Sequence, residues 1–210
     1  MNYLNIEPKD IEKESFRIIT DTLMEDGITL TEPDGSVIKR VIHTTADFSF
    51  KDTLFISENA VDRARELIKM GATIVTDTNM TLAGINKVRL EKYGCSVRCF
   101  MSDEDVAKEA KQRNVTRAFV SMERAAKLEG PLVISVGNAP TALISLKEII
   151  EKGMRRPDFI IGVPVGFVNV EYAKELFRES DIPRIINFGK KGGSNVAAAV
   201  INAIVYGISE

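Results

Sequence analysis

Three times in its second half the chain passes from an apolar run of strand length, through a glycine-containing turn, into a helix-length segment. Leu132-Val133-Ile134-Ser135-Val136 leads into Gly137-Asn138-Ala139-Pro140 and a helix over about 141–152. Phe159-Ile160-Ile161-Gly162-Val163 leads into Pro164-Val165-Gly166-Phe167 and a helix over about 170–179. Arg184-Ile185-Ile186-Asn187-Phe188 leads into Gly189-Lys190-Lys191-Gly192-Gly193-Ser194 and a helix over about 195–206. Strands that are apolar without alternation, each followed by a helix, require a parallel sheet covered on both faces. Right-handed crossovers then bring all three turns to the carboxyl edge of the strands, where open α/β sheets bind ligands.

The first half fits the same class. Ile11, Ser15, Ile18, Ile19, Thr22 and Leu23 share one face of a helix over 8–25, with Pro8 in its first turn and Gly27 past its end. Val37, Arg40, Val41 and Thr44 recur at helical spacing around 36–43, after the turn Glu32-Pro33-Asp34-Gly35-Ser36. A helix is expected over 57–70, capped by Ser57 and closed by Gly71, then a buried strand Thr73–Thr76 and a polar turn, Asp77-Thr78-Asn79-Met80. Helices follow over 103–113 and 116–128. No linker or low-complexity stretch divides the 210 residues, so 1–210 is read as one domain.

Composition removes several function classes. The 28 basic and 30 acidic residues leave a net charge of -2, unlike a dedicated nucleic-acid binder. The start, Met1-Asn2-Tyr3-Leu4-Asn5-Ile6-Glu7, lacks the pattern of a signal peptide, and the longest apolar run, Val196–Ile208, is too short for a bilayer and holds Asn202. A soluble, cytoplasmic protein without a membrane partner is expected. Cys95 and Cys99 have no second Cys/His pair to complete a zinc site, so they read as reduced structural thiols and no metal is expected.

The one histidine, His43 in Arg40-Val41-Ile42-His43, is the leading candidate for proton-assisted chemistry, since histidine changes charge near neutral pH. A satisfied structural histidine beside Val and Ile is the competing description. Lys190, Gly192, Gly193 and Ser194 make the strongest anion site: glycines allow close approach, the following helix offers amides, and lysines add charge. A plain glycine-rich turn with solvated lysines would look the same. The turn lacks P-loop spacing, and neither it nor Gly137-Asn138 supplies a dinucleotide fingerprint. Val165, Gly166 and Phe167 offer either an apolar contact surface or a rigid turn. Arg117, at a helix start, either pairs with a ligand carboxylate or is solvated. Arg155 and Arg156 are expected on the far edge of the sheet, in solvent.

Taken together, Arg40–His43, Thr76-Asp77-Thr78-Asn79-Met80, Val136–Leu143, Gly162–Val168 and Gly189–Ser194, with Ser15-Phe16 and Ile18-Ile19 ahead of them, resemble the precorrin-8X methylmutase family, also known for cobalt-precorrin-8. The order matches from about residue 3 to 206, with one departure at Phe167-Val168-Asn169-Val170, where the family has small residues. The resemblance implies a single-domain three-layer α/β/α sandwich, usually a homodimer. It implies an isomerase moving a methyl group from carbon 11 to carbon 12 of a corrinoid tetrapyrrole, giving hydrogenobyrinate or cobyrinate, with no cofactor. His43 takes the acid/base role, and Ser15 and Arg117 contact substrate. Gly137, Asn138, Val165, Gly166, Phe167, Lys190, Gly192, Gly193 and Ser194 complete the expected site, and neighbouring cobalamin-pathway enzymes are expected partners. Two rival readings are a non-catalytic corrinoid carrier and a phosphate- or nucleotide-binding α/β enzyme that uses the Lys190-Lys191 turn.

Overall fold

The computed structural model describes Glu7 and residues 10–208; Pro8 falls outside them. The elements are α1 (Ile11–Glu25), α2 (Asp34–Thr45), α3 (Phe50–Thr53), β1 (Leu54–Ile56), α4 (Ala60–Lys69), β2 (Thr73–Thr76), α5 (Asn79–Gly84), α6 (Lys87–Glu91) and β3 (Ser96–Arg98). They continue as α7 (Glu104–Arg113), α8 (Arg117–Ala125), β4 (Leu132–Val136), α9 (Pro140–Glu151), β5 (Phe159–Gly162), α10 (Val170–Glu175), β6 (Arg184–Asn187) and α11 (Ser194–Tyr206).

The strands form one sheet in the order β1-β6-β5-β4-β2-β3. Every neighbouring pair is parallel except β1 with β6, which is antiparallel. Successive side chains of β5 show why its sequence has no polar face. Phe159 and Ile161 enter one core with α1, α2, α4 and α11, while Ile160 enters the other with α8, α9 and α10. The result is a three-layer α/β/α sandwich with a mostly parallel sheet. The β4, β5 and β6 units are adjacent, so their turns share the carboxyl edge.

α11 is the hub of the first helical layer, buried at Val196, Ala197, Val200, Ile201 and Ile204. α5 approaches it so closely that a Cβ on Gly84 would stand 2.9 Å from the Cβ of Ala198. Asn202, the polar residue within that apolar helix, fastens the segment after α5. Its Oδ1 accepts from the Asn86 N–H and its Nδ2 donates to the Gly84 carbonyl, each at 2.9 Å. No helix among the described residues is long and apolar enough to cross a membrane.

Three expectations need correction. The helix expected from Ser57 begins at Ala60, because Ser57 ends the β1–β6 pairing: its Oγ accepts the Arg184 N–H and its own N–H donates to the Arg184 carbonyl, both at 3.0 Å. The helices expected over 116–128 and 170–179 stop at Ala125 and Glu175. Arg155 is not simply solvated: it donates to the carbonyls of Leu128 and Gly130 and pairs with Asp158, bracing the loop before β4, whereas Arg156 pairs with Asp181 at the surface. Both cysteines are free thiols, and burial pushes Cys95 up to about 11.

Candidate functional site

α2 is amphipathic in the ordinary way. Val37, Ile38, Val41 and Ile42 face the core, which leaves Arg40 and His43, three residues apart, on the open side. His43 stacks on Phe16 of α1, with ring centroids 5.2 Å apart and planes at 20°. The Arg40 guanidinium lies 4.5 Å from the Phe16 centroid and 5.1 Å from that of Tyr206, at the end of α11, and it is ion-paired with Glu12. Arg89 of α6 lies 4.8 Å from the Tyr206 centroid, and Asn86 Nδ2 donates to the Tyr206 hydroxyl at 3.2 Å. Together with Ile11 these residues, apart from Phe16, line an open groove of about 750 Å³.

His43 is half-buried, and among the described residues neither ring nitrogen has a hydrogen-bond partner. A structural histidine would be satisfied by the protein, since burying an unmatched polar group is costly. This ring is held by stacking on Phe16, and the open side of α2 leaves its nitrogens accessible. Asp47, just after α2, receives a 2.6 Å bond from Lys191 Nζ, so His43 stands between the Tyr206 end of α11 and the glycine-rich turn at its start. α11 spans roughly 20 Å at the helical rise per residue. Ser15 lies on α1 beside Phe16, its hydroxyl bonded to the Ile11 carbonyl at 3.0 Å.

The three turns differ in what they leave open. At the β4–α9 turn, Asp77 fills the amides: Oδ1 accepts from Gly137 N–H at 2.8 Å, and Oδ2 from Asn138 and Ala139 at 2.8 and 2.6 Å. Burial raises the Asp77 pKa above the ordinary carboxylate value, and the three amide bonds oppose that rise. Gly137 is required there for packing, since a Cβ would lie 2.8 Å from the Ser194 Cα. The backbone of this turn is therefore closed to a ligand, and only the exposed Asn138 side chain remains.

The β5–α10 and β6–α11 turns are sewn together. Gly166 N–H donates to the Lys190 carbonyl and Gly193 N–H to the Val163 carbonyl, so neither amide is free for a substrate as expected from sequence. Gly192 runs so close to β5 that a Cβ would stand 2.1 Å from the Val163 oxygen. The Ser194 hydroxyl is 2.9 Å from that of Thr78. Val165 and Phe167 project outward, Phe167 at 85% exposure, and Lys190 stands 5.8 Å from the Phe167 ring centroid.

Arg117 is exposed at the start of α8, capped by the Thr116 hydroxyl, in the helical layer opposite His43. It lines a separate groove of about 580 Å³ with Lys108 and Lys111. One copy of the chain does not bring Arg117 and His43 together. The sequence alone does not single out Arg89 or Tyr206, and it places Asp77 in a polar turn and in a segment carrying the family resemblance without giving it a role. The available signal was Asp77 directly after a buried strand and Tyr206 as the polar end of an apolar helix.

Fold and groove define an α/β protein with one imidazole in an open groove, flanked by guanidinium groups and aromatic rings. Residues 10–207 match the family model CbiC, precorrin-8X methylmutase. Cobalt-precorrin-8 methylmutase of Priestia megaterium is 39% identical over 201 residues, covering 96% of this chain and 88% of that protein. The enzyme of the same name from Salmonella typhimurium is 39% identical over the whole of both chains. The crystal structure of precorrin-8X methylmutase from Thermus thermophilus superposes with a TM-score of 0.84 at 38% identity, covering 94% of this chain and 95% of that one. The chain belongs to the precorrin-8X methylmutase family, isomerases of cobalamin biosynthesis.

Proposed function

We propose that the chain moves a methyl group from carbon 11 to carbon 12 of precorrin-8X or cobalt-precorrin-8, with His43 as the acid/base. The observation that carries this reading is the single histidine, held by stacking in an open groove with its nitrogens unclaimed. Protonating the ring-C nitrogen of the macrocycle, or hydrogen-bonding to it, draws electron density through the conjugated system and eases the methyl off carbon 11. The proton returns when the bond to carbon 12 has formed. Atoms and oxidation state balance within one molecule, so the step calls for no methyl donor or redox partner. General acid catalysis supplies about 10²- to 10⁴-fold, and holding the macrocycle in its reactive shape supplies the remainder.

Arg40 and Arg89 suit the carboxylates at the rim of a corrinoid, Tyr206 and Phe16 its apolar plate. Ser15, Lys190, Gly192 and the Asn138 side chain are the further contacts, with Val165 and Phe167 as apolar surface. The protein works in the cytoplasm as a homodimer and hands its product to neighbouring cobalamin-pathway enzymes. In such a dimer Arg117, on the layer opposite His43, serves a corrinoid held by the other copy. The names of the Priestia and Salmonella relatives put the cobalt-bearing substrate first.

The test mixes protein with each tetrapyrrole and follows the visible spectrum, with NMR to locate the methyl group. Conversion by wild type and a loss of about 10²- to 10⁴-fold in His43→Ala, with binding kept, is the expected result. Binding of both compounds without conversion would leave a corrinoid carrier. A melting shift with ATP or NAD but none with tetrapyrroles would favour the phosphate-binding reading.

A further inference from the structure

Lys174, in α10, is a fully buried lysine that the mechanism above does not use. Its Nζ donates to the Gly189 carbonyl at 2.6 Å and to the Lys191 carbonyl at 2.8 Å. The carbonyl between them, that of Lys190, accepts from Gly166 N–H at 3.1 Å, and Asn187 Nδ2 adds a second bond to Lys191 at 2.8 Å. Three successive carbonyls are thus drawn into the protein. In a trans peptide the N–H points opposite to its carbonyl, so the N–H groups of Lys190, Lys191 and Gly192 are turned the other way. Among the described residues none of the three has an acceptor. Successive outward amides make an anion-binding concavity. Gly189, Gly192 and Gly193 all have positive φ, at 77°, 152° and 137°, and glycine carries the largest backbone entropy, so the shape of the segment depends on the bonds that fix it.

We propose that Lys174 is a positioning residue, whose ammonium group pins the Gly189 and Lys191 carbonyls and so orders the β6–α11 turn to receive a substrate carboxylate on the amides of Lys190, Lys191 and Gly192. The inference rests on the corrinoid reading above. Burial also lowers the Lys174 pKa to about 8, with Glu171 of its own helix opposing. Lys190 and Lys191 of the turn direct their ammonium groups to Glu171 and Asp47 instead. The clamp therefore weakens as pH rises through about 8.

The experiment compares wild type with Lys174→Met in two readouts. The first is NMR order parameters for residues 189–193 without ligand; the second is steady-state kinetics with precorrin-8X. Expected are a loosened turn and a KM raised about tenfold or more, as for loss of a charge-assisted bond, with kcat within about twofold, the signature of lost uniform binding. Wild-type KM should rise between about pH 7 and pH 9, and that rise should vanish in the variant. Lys174→Gln, whose NH2 group can still donate to a carbonyl but is shorter and uncharged, should recover part of the affinity, and it carries the test if Lys174→Met does not fold. An ordered turn with unchanged KM in a converting enzyme overturns the Lys174 assignment and leaves the methylmutase reading intact. A wild type that neither binds nor converts tetrapyrroles overturns that reading and, with it, the proposed carboxylate site.

Discussion

Asp77→Asn isolates the device that closes the β4–α9 turn. The two carboxylate oxygens take three backbone N–H groups, one on Oδ1 and two on Oδ2. Asparagine has a single acceptor oxygen. Placed where Oδ2 stands, it keeps the bonds from Asn138 and Ala139 but aims its NH2 at the buried Gly137 N–H, donor against donor. Flipped, it strands two amides instead. The better orientation leaves one buried N–H and one amide group unmatched, at about 1–3 kcal/mol each. Removing a charge that burial disfavours gives some of this back, so a net loss of about 2 kcal/mol is expected. At about 2–4 °C per kcal/mol for a chain of this size, Tm falls by about 4–8 °C. Urea and thermal unfolding of the two proteins measure it directly. A variant within about 0.5 kcal/mol of wild type, the scatter of ordinary surface changes, would refute the argument that the carboxylate, rather than any polar side chain, satisfies this turn.

Gly192→Ala forces a Cβ to within 2.1 Å of the Val163 oxygen at a φ of +152° and should cost about 1–3 kcal/mol in chemical denaturation. Gly153→Ala, with nothing within 4 Å of its Cβ position, is the control and should cost less. Asn202→Leu removes both bonds that fasten the segment before α6; unfolding should show a loss of about 1–3 kcal/mol, and a KM rise would report the displaced Arg89 wall. Lys191 and Ser49 hold the Asp47 pKa down to about 2. The pair therefore stabilises the fold above the ordinary carboxylate range, and that contribution is lost as pH falls through about 2. In Lys191→Met, carboxyl NMR should find Asp47 titrating closer to the ordinary value, with Ser49 retaining part of the shift.

The sequence made the β4, β5 and β6 units readable because each buried strand is a continuous apolar run with a helix behind it. Leu132–Val136 and Thr73–Thr76 have the ends expected of them. β1 was not readable: three residues gain strand character only by pairing antiparallel with β6. The short helices α3, α5 and α6 carry too few residues for periodicity to speak. For the site, His43 stood out as the only histidine, but its freedom from hydrogen bonds is a property of its surroundings. Lys174 and Asp77 were hidden for a related reason. Lys174 sits in a helix beside Glu171 and Glu175, where a lysine normally belongs to solvent, and only the return of the glycine-rich turn buries it.

Asp77 also has a meaning for recognition. A tetrapyrrole bordered by acetate and propionate arms presents many near-equivalent anions, and a sheet edge with several vacant helix starts would accept it in several rotations. By keeping a carboxylate of its own at the start of α9, the protein removes one such berth before any ligand arrives. On the corrinoid reading proposed above, orientation is then decided as much by the seat already taken as by the seat left empty, and the carbon presented to His43 is selected partly by exclusion.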